Sequence, residues 1–371
     1  MVFIIVNNKH KKQTSIIIFI LMIFSIFLFI SCIPSDIKAE YEPVEEVEED
    51  YGETVHAEIK EGYIKTFHTP GEARDIFIEG DYCYVADGES GLQIIDVTKI
   101  EDSYIIGNCD TNGKASSICL QNNFVYIANW EKGIQIIDVS DKENPYISGS
   151  YNVSGIRLTS ISIEEEYVYV TYSKYNEDDK FIGSGIEIID ISNRKKPLRA
   201  AIYDITGRAN KVIAHGNYLF VTYNNHDKNY KLLEAGMLII DISNPIQPVM
   251  IGKCNTDGVT FNLFIQDNYA YIASENGLNI IDITSKKNPA ITGEFQSYAA
   301  VDVFVEDNFA YIIYFPPEGS DENIIKIVDV SNKEEPDSVK NLFYPIGDNS
   351  NISIEENYIY ITDGDVQILR K

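Results

Sequence analysis

Three basic residues, Lys114, Arg157 and Arg208, stand at equivalent points of successive sequence repeats, in a chain whose formal net charge is −27. Cations so placed suit a carboxylate, a phosphate or an acidic sugar, held by charge-assisted hydrogen bonds. Salt bridges to nearby loop acids account for them equally simply. The same stretch carries Trp130, the only tryptophan, together with Tyr175 and Tyr230. Such side chains stack on sugar rings or anchor protein partners, while local loop packing is the plainer account of each taken singly. These six are the candidate ligand-binding residues.

Catalytic chemistry has less to work with. Of the five histidines, His10 lies in an apolar leader, His56 and His68 precede the repeats, and His215 and His226 alone lie within them. No histidine cluster with metal-site spacing and no nucleophile elbow is present, so no catalytic residue, metal or cofactor is expected. Carboxylates are plentiful, but sequence does not bring two of them to glycosidase separation. The acidic stretch Asn176-Glu177-Asp178-Asp179 matches no recognised calcium loop.

Six further acids recur in one string: Ile94-Ile95-Asp96-Val97, Ile136-Ile137-Asp138-Val139, Ile188-Ile189-Asp190-Ile191, Ile239-Ile240-Asp241-Ile242, Ile280-Ile281-Asp282-Ile283 and Ile327-Val328-Asp329-Val330. A Ser or Thr follows each, and a proline stands seven residues after five of the six acids, Ser103 replacing it in the first. A carboxylate ending a strand before a polar turn accepts backbone N–H groups and fixes that turn. Six equivalent acids spread around an array do not converge on one substrate, so they read as structure. A second column, aromatic-x-aromatic, occurs seven times: Tyr82/Tyr84, Phe124/Tyr126, Tyr167/Tyr169, Tyr218/Phe220, Tyr269/Tyr271, Phe309/Tyr311 and Tyr358/Tyr360. It predicts packing between repeats, with hydroxyls reaching the rim.

The elements that position these residues follow from the repeat. A period of roughly 40 to 50 residues in segments rich in Ile, Val and Tyr is that of propeller blades, since solenoid repeats of such length are helical. The first unit holds four short β-prone runs, beginning at Asp75, Tyr82, Gly91 and Tyr104. The last unit, from Asn351, supplies only three, and Tyr63 to Phe67 offers the missing outer strand. The expected fold is therefore all-β: a seven-bladed β-propeller of four-stranded blades, closed by pairing an N-terminal strand with the C-terminal blade, which removes an open edge. The G-[LIM]-x-I-I-D-[VI]-[ST] string with its downstream proline resembles the LVIVD-repeat family of bacterial and archaeal β-propellers. That resemblance implies a propeller scaffold in an extracytoplasmic setting and carries over no catalytic residue. The sixth copy departs from the string, with Ile324 in place of the leading glycine.

The N-terminus reads as an address. Lys9, His10, Lys11 and Lys12 precede an apolar run from Ile16 to Ile30, and Ser31-Cys32 follows, in the manner of a lipoprotein signal lipidated at Cys32. An uncleaved anchor is the competing reading, but the run falls short of the roughly 20 residues that span a bilayer. Residues 1–31 are thus expected to be a signal peptide, 32–58 an acidic flexible tether and 59–371 the propeller. The signal holds three lysines and no acid, so its removal takes the net charge from −27 to −30. Nucleic acid is disfavoured as a partner, and the membrane is met through the lipid anchor. Cys83, Cys109, Cys119 and Cys254 lie in predicted strands, with Cys109 on an outer and Cys119 on an inner one, which argues against a disulfide between them.

Function is expected where the repeats differ, on the face that carries the second-to-third-strand turns and the connections between blades. The column Asp75, Ser117, Ser160, Lys211, Asn262, Asp302 and Asn351 is polar in every unit and predicts a polar ring lining the channel mouth, for which a wet channel alone suffices. Longer units insert Ser173 to Ser184, Asn224 to Ala235 and Tyr314 to Asn323 on that face. The reading is an envelope-anchored, noncatalytic binding scaffold for an envelope or extracellular protein or a glycan. The alternative is an extracytoplasmic propeller enzyme, a hydrolase or lyase acting at the mouth.

Overall fold

The computed structural model describes residues 63–315, 324–343 and 350–371, with the side chains of Tyr63, Ile324 and Phe343 left aside. The expected signal peptide, Cys32, the tether and the tip of the blade-six insertion lie outside the described residues. Seven four-stranded antiparallel sheets make up the fold. The inner strands are Asp75–Glu79, Ser117–Gln121, Ile156–Glu164, Arg208–His215, Thr260–Gln266, Ala299–Glu306 and Asn351–Glu355. Each lies beside the next, and the last lies beside the first, so the sheets form a closed ring. In the seventh blade Tyr63–Phe67 pairs antiparallel with Asp365–Arg370, Thr66 opposite Gln367 and Phe67 opposite Val366. Closure by the N-terminal strand is therefore as the three-strand last unit foretells.

The repeated string builds both the turn and the joint between blades. In every copy one Asp oxygen accepts the N–H two residues on, at 2.7–3.0 Å: Thr98, Ser140, Ser192, Ser243, Thr284 and Ser331. The Ser140 hydroxyl and amide hold the Asp138 carboxyl below its ordinary pKa, and Asp241, Asp282 and Asp329 are lowered in the same way. The turn that follows carries a cation back to the preceding blade's aromatic column. Lys142 lies 5.6 and 5.7 Å from the Tyr82 and Tyr84 rings, Lys286 lies 5.8 and 5.9 Å from Tyr218 and Phe220, and Lys333 lies 5.4 and 5.8 Å from Tyr269 and Tyr271. Each ammonium also donates to a carbonyl of its own turn, at Val139, Ile283 and Val330. A desolvated ammonium over an aromatic face is worth about 1–2 kcal/mol, so the two repeated columns act as one clasp.

The approach at this joint is close enough to demand glycine. A Cβ on Gly149 of the second blade's outer strand would stand 1.8 Å from the Arg194 carbonyl, and Gly107 is barred in the same way by Lys142. The second aromatic of each pair is buried, and here the structure departs from expectation: the Tyr84 and Tyr271 hydroxyls do not reach the rim but are enclosed without a hydrogen-bond partner among the described residues. Tyr84 packs in a cluster with Ile94, Ile118 and Ile127, and Tyr271 in one with Leu278, Ile280 and Val303, which enclose the two rings. A second departure concerns the insertions of blades three and four. They are not irregular loops but continuations of the strands, Tyr167–Tyr175 with Phe181–Asp190 and Tyr218–His226 with Leu232–Asp241, ending in short tips.

Candidate functional site: the channel-mouth face

The polar column gathers around the axis, where Asp75, Ser117, Ser160, Lys211, Asn262 and Asn351 line a pocket of about 160 Å3. Most of these side chains join successive inner strands. Asp75 accepts the Ser117 hydroxyl at 2.7 Å and the Ile118 amide at 3.0 Å, Ser117 Oγ accepts the Ile161 amide, and Ser160 Oγ accepts the Val212 amide. Asp302 accepts the Ile352 amide at 2.8 Å, and Asn351 Nδ2 donates to the Arg74 carbonyl, which ties blade seven to blade one. Burial is what moves the Asp302 carboxyl up to about 7; Lys211 and the two amides oppose the shift and Asp75 adds to it. Asn262 turns back on the Leu263 amide. The ring thus has a stitching role beyond that of a wet channel.

The basic residues divide into paired and unpaired. Lys114 stands 3.6 Å from Glu72, whose carboxyl the neighbouring Arg74 guanidinium holds below its ordinary range. Arg157 is engaged twice, by Glu131 at 2.9 Å and Asp179 at 3.0 Å, and its guanidinium lies 4.5 Å from the Tyr175 ring. Trp130 is the hub of this group, with Lys114 at 4.9 Å and Arg74 and Arg157 at 5.8 Å from its ring. Arg157 and Tyr175 border a recess of about 400 Å3 with Glu131, Asn176 and Asp179. Arg208 differs. It stacks on Phe181 at 5.0 Å, and no hydrogen bond or ion pair of its guanidinium occurs among the described residues.

Arg208 and Tyr230 border a larger cleft of about 880 Å3 between blades three, four and five. Lys180 and Lys228, at the tips of the two long hairpins, contribute two more cations, likewise without an ion pair among the described residues. Phe181, Phe261 and Tyr230 supply ring faces, and Tyr230 is 88% exposed. Asn210 and Asn225 bring amide groups to the wall. The carboxylate that lines the cleft among the described residues, Asp227, accepts the Asn229 and Lys231 amides of its own hairpin tip. The six candidate residues therefore do not form one site: Lys114, Trp130, Arg157 and Tyr175 make one cluster, and Arg208 and Tyr230 line the cleft.

The family model of the LVIVD repeat matches seven segments, residues 70–111, 112–153, 158–205, 206–256, 257–299, 297–342 and 346–369. The chain belongs to the LVIVD-repeat family. The short seventh match coincides with the three-stranded C-terminal unit that Tyr63–Phe67 completes. Among solved structures the chain is similar to the β-propeller domain of Cps50 (Swd1) from Myceliophteria thermophila, with TM-score 0.61 and 10% identity over 84% of this chain and 99% of that one. It is similar to the WD40 β-propeller domain of Doa1, with TM-score 0.57 and 11% identity over 84% and 96%. It also resembles the computationally designed Ika8 protein, with TM-score 0.57 and 8% identity over 84% and 100%. These likenesses establish the fold alone. No curated protein matches the chain significantly.

Within this LVIVD-repeat chain the repeated residues are spent on turns and joints, and the cleft is built from residues outside the pattern. Sequence reasoning missed Lys180, Lys228 and Phe261. Their signal was available: the lysines sit in the insertions already singled out, and Phe261 stands one residue before the polar column.

Proposed function

We propose that the protein is a noncatalytic binding propeller, held at the cell envelope by lipidated Cys32, whose cleft between blades three, four and five takes an acidic glycan. The division into signal peptide 1–31, tether 32–58 and propeller 59–371 belongs to the same reading. One observation carries it: a chain of net charge −27 keeps Lys180, Arg208 and Lys228 in a single cleft without ion pairs among the described residues, beside ring faces and amides. Unpaired cations attract a carboxylated or phosphorylated sugar, rings stack on its apolar faces, and amides meet its hydroxyls. One Asp227 carboxylate oxygen is taken by the Asn229 and Lys231 amides of its own hairpin tip.

An array of acidic and neutral oligosaccharides, with envelope proteins on the same surface, tests the proposal. Acidic glycans are expected to bind, with affinity falling as salt rises. Arg208→Ala is expected to weaken binding by about 1–3 kcal/mol, the range for a charge-assisted contact. Binding indifferent to Arg208→Ala and Lys228→Ala, or restricted to proteins, overturns the assignment. Anchoring is tested apart: Cys32→Ala should release the protein from membranes, and an unmodified Met1 start in the wild-type protein contradicts lipidation.

A further inference from the structure

The propeller axis carries a second feature, independent of the cleft. One residue before the polar ring, Arg74, Phe261 and Val301 join Trp130 and Phe315 around a vestibule of about 520 Å3. Ser116, Thr159, Phe261 and Asn351 border both this vestibule and the 160 Å3 pocket beneath it, so the two form one funnel with apolar walls and a polar floor. Lys211 is the cation of that floor. Its ammonium makes no hydrogen bond or ion pair among the described residues, although every other ring member has a bonded side chain. The two nearby carboxylates are already engaged: Asp75 holds the Ile76 and Ile118 amides, and Asp302 the Val303 and Ile352 amides.

Trp130 adds a separate sign. It adopts φ +36°, a left-handed conformation, in the turn where blade one has Gly88 at φ +53°. A bulky side chain is rarely kept in that region unless what it presents compensates the strain. Its ring faces the vestibule.

We propose that the funnel binds a small amphipathic monocarboxylate, with the anionic end on the Lys211 ammonium and the apolar body against Phe261, Phe315 and Trp130. Charge selects the class. With Asp302 protonated, Lys211 balances Asp75 and the floor is neutral, so a single negative charge enters at less cost than a phosphate dianion. The small floor admits a carboxylate and little more, and the wider vestibule takes an aryl or short alkyl group. The charged groups of the floor are Asp75 from blade one and Lys211 from blade four, with the Asp302 carboxyl of blade six buried near them and Arg74, paired with Glu72, on the vestibule wall; Asn262 and Asn351 are neutral. Asp302 takes up its proton near pH 7, so acidification removes one repelling charge and tightens binding.

The single tryptophan makes occupancy readable by fluorescence on the detergent-solubilised full chain. Phenylacetate should bind saturably and at least about tenfold more tightly than phenylacetamide, the gain expected of a charge-assisted contact. Its affinity should rise from pH 8 to pH 6. Lys211→Gln should erase the preference for acid over amide, while Lys211→Arg keeps it. Equal binding of acid and amide, no saturable binding of phenylacetate below about 10 mM, or a preference that survives Lys211→Gln overturns the proposal. Should Lys211→Gln fail to fold, Ala299→Phe, which fills the vestibule, must abolish phenylacetate binding; retained binding overturns the assignment.

Discussion

Removing the strand Tyr63–Phe67 is the sharpest perturbation of the ring, because one short segment closes it. The comparison is between residues 57–371 and residues 69–371. The truncation takes away the ladder onto Asp365–Arg370, the hydrogen bond between Thr66 and Gln367, and the Lys65 contacts to Ser103. It also strips Ile64 and Phe67 from the core cluster that contains Tyr360, Val366 and Ile368. Two half-buried apolar side chains contribute about 1 kcal/mol each, and their removal exposes a similar area on Val366 and Ile368. Roughly four ladder and side-chain hydrogen bonds add about 1 kcal/mol each. Against that total of about 8 kcal/mol stands the ordering of five residues, about 5 kcal/mol. The net loss is about 3 kcal/mol. With a urea dependence of about 3 kcal/mol per molar for a domain of this size, the midpoint should fall by about 1 M. A synthetic peptide of residues 57–69 added to the truncated protein should restore part of the difference. An unchanged midpoint, or no response to the peptide, refutes closure as a source of stability.

Two more perturbations follow from the joints and the ring. Gly149→Ala drives a Cβ into the Arg194 carbonyl and should cost about 2–4 kcal/mol in urea unfolding, whereas Gly183→Ala, with open space at its Cβ position, should be nearly silent; equal effects would remove the steric argument. Asp302→Asn tests the buried acid through pH. The folded-state pKa is raised from 3.8 to about 7, so the stability this group contributes is fully present below the unfolded value and is lost as pH rises through 7. Between pH 5 and pH 7.5 the stability of the wild type should fall relative to the variant by about 3 kcal/mol, two pKa units' worth; a difference constant with pH contradicts the raised carboxyl.

Much of the scaffold was legible because its signals are periodic and local. The Ile-Ile-Asp string names a buried strand and the Asx turn that ends it, and both depend on residues within a few positions of each other. The seven aromatic pairs against six strings, with the short last unit, imply closure. The polar column was legible as a ring because one position per inner strand must face the axis once the blade count is known. The partners of the charges were not legible. Arg157 and Arg208 occupy the same column, yet Glu131 and Asp179 neutralise the first, while the second is left to Phe181 and the cleft. Those acids come from the adjoining turn of blade two and the hairpin tip of blade three, and only the curvature of the ring sets their reach. The long hairpins were visible as extra length, but their extension as paired strands, which carries Lys180 and Lys228 over the cleft, is a property of the folded sheet. The sequence by itself determined the blade, its turns, its count and its closing strand, since these rest on short-range pattern and repetition. Tertiary structure alone decided which cations stay unpaired and which side chains share a cavity, because electrostatic pairing depends on distances across blades that no spacing along the chain records.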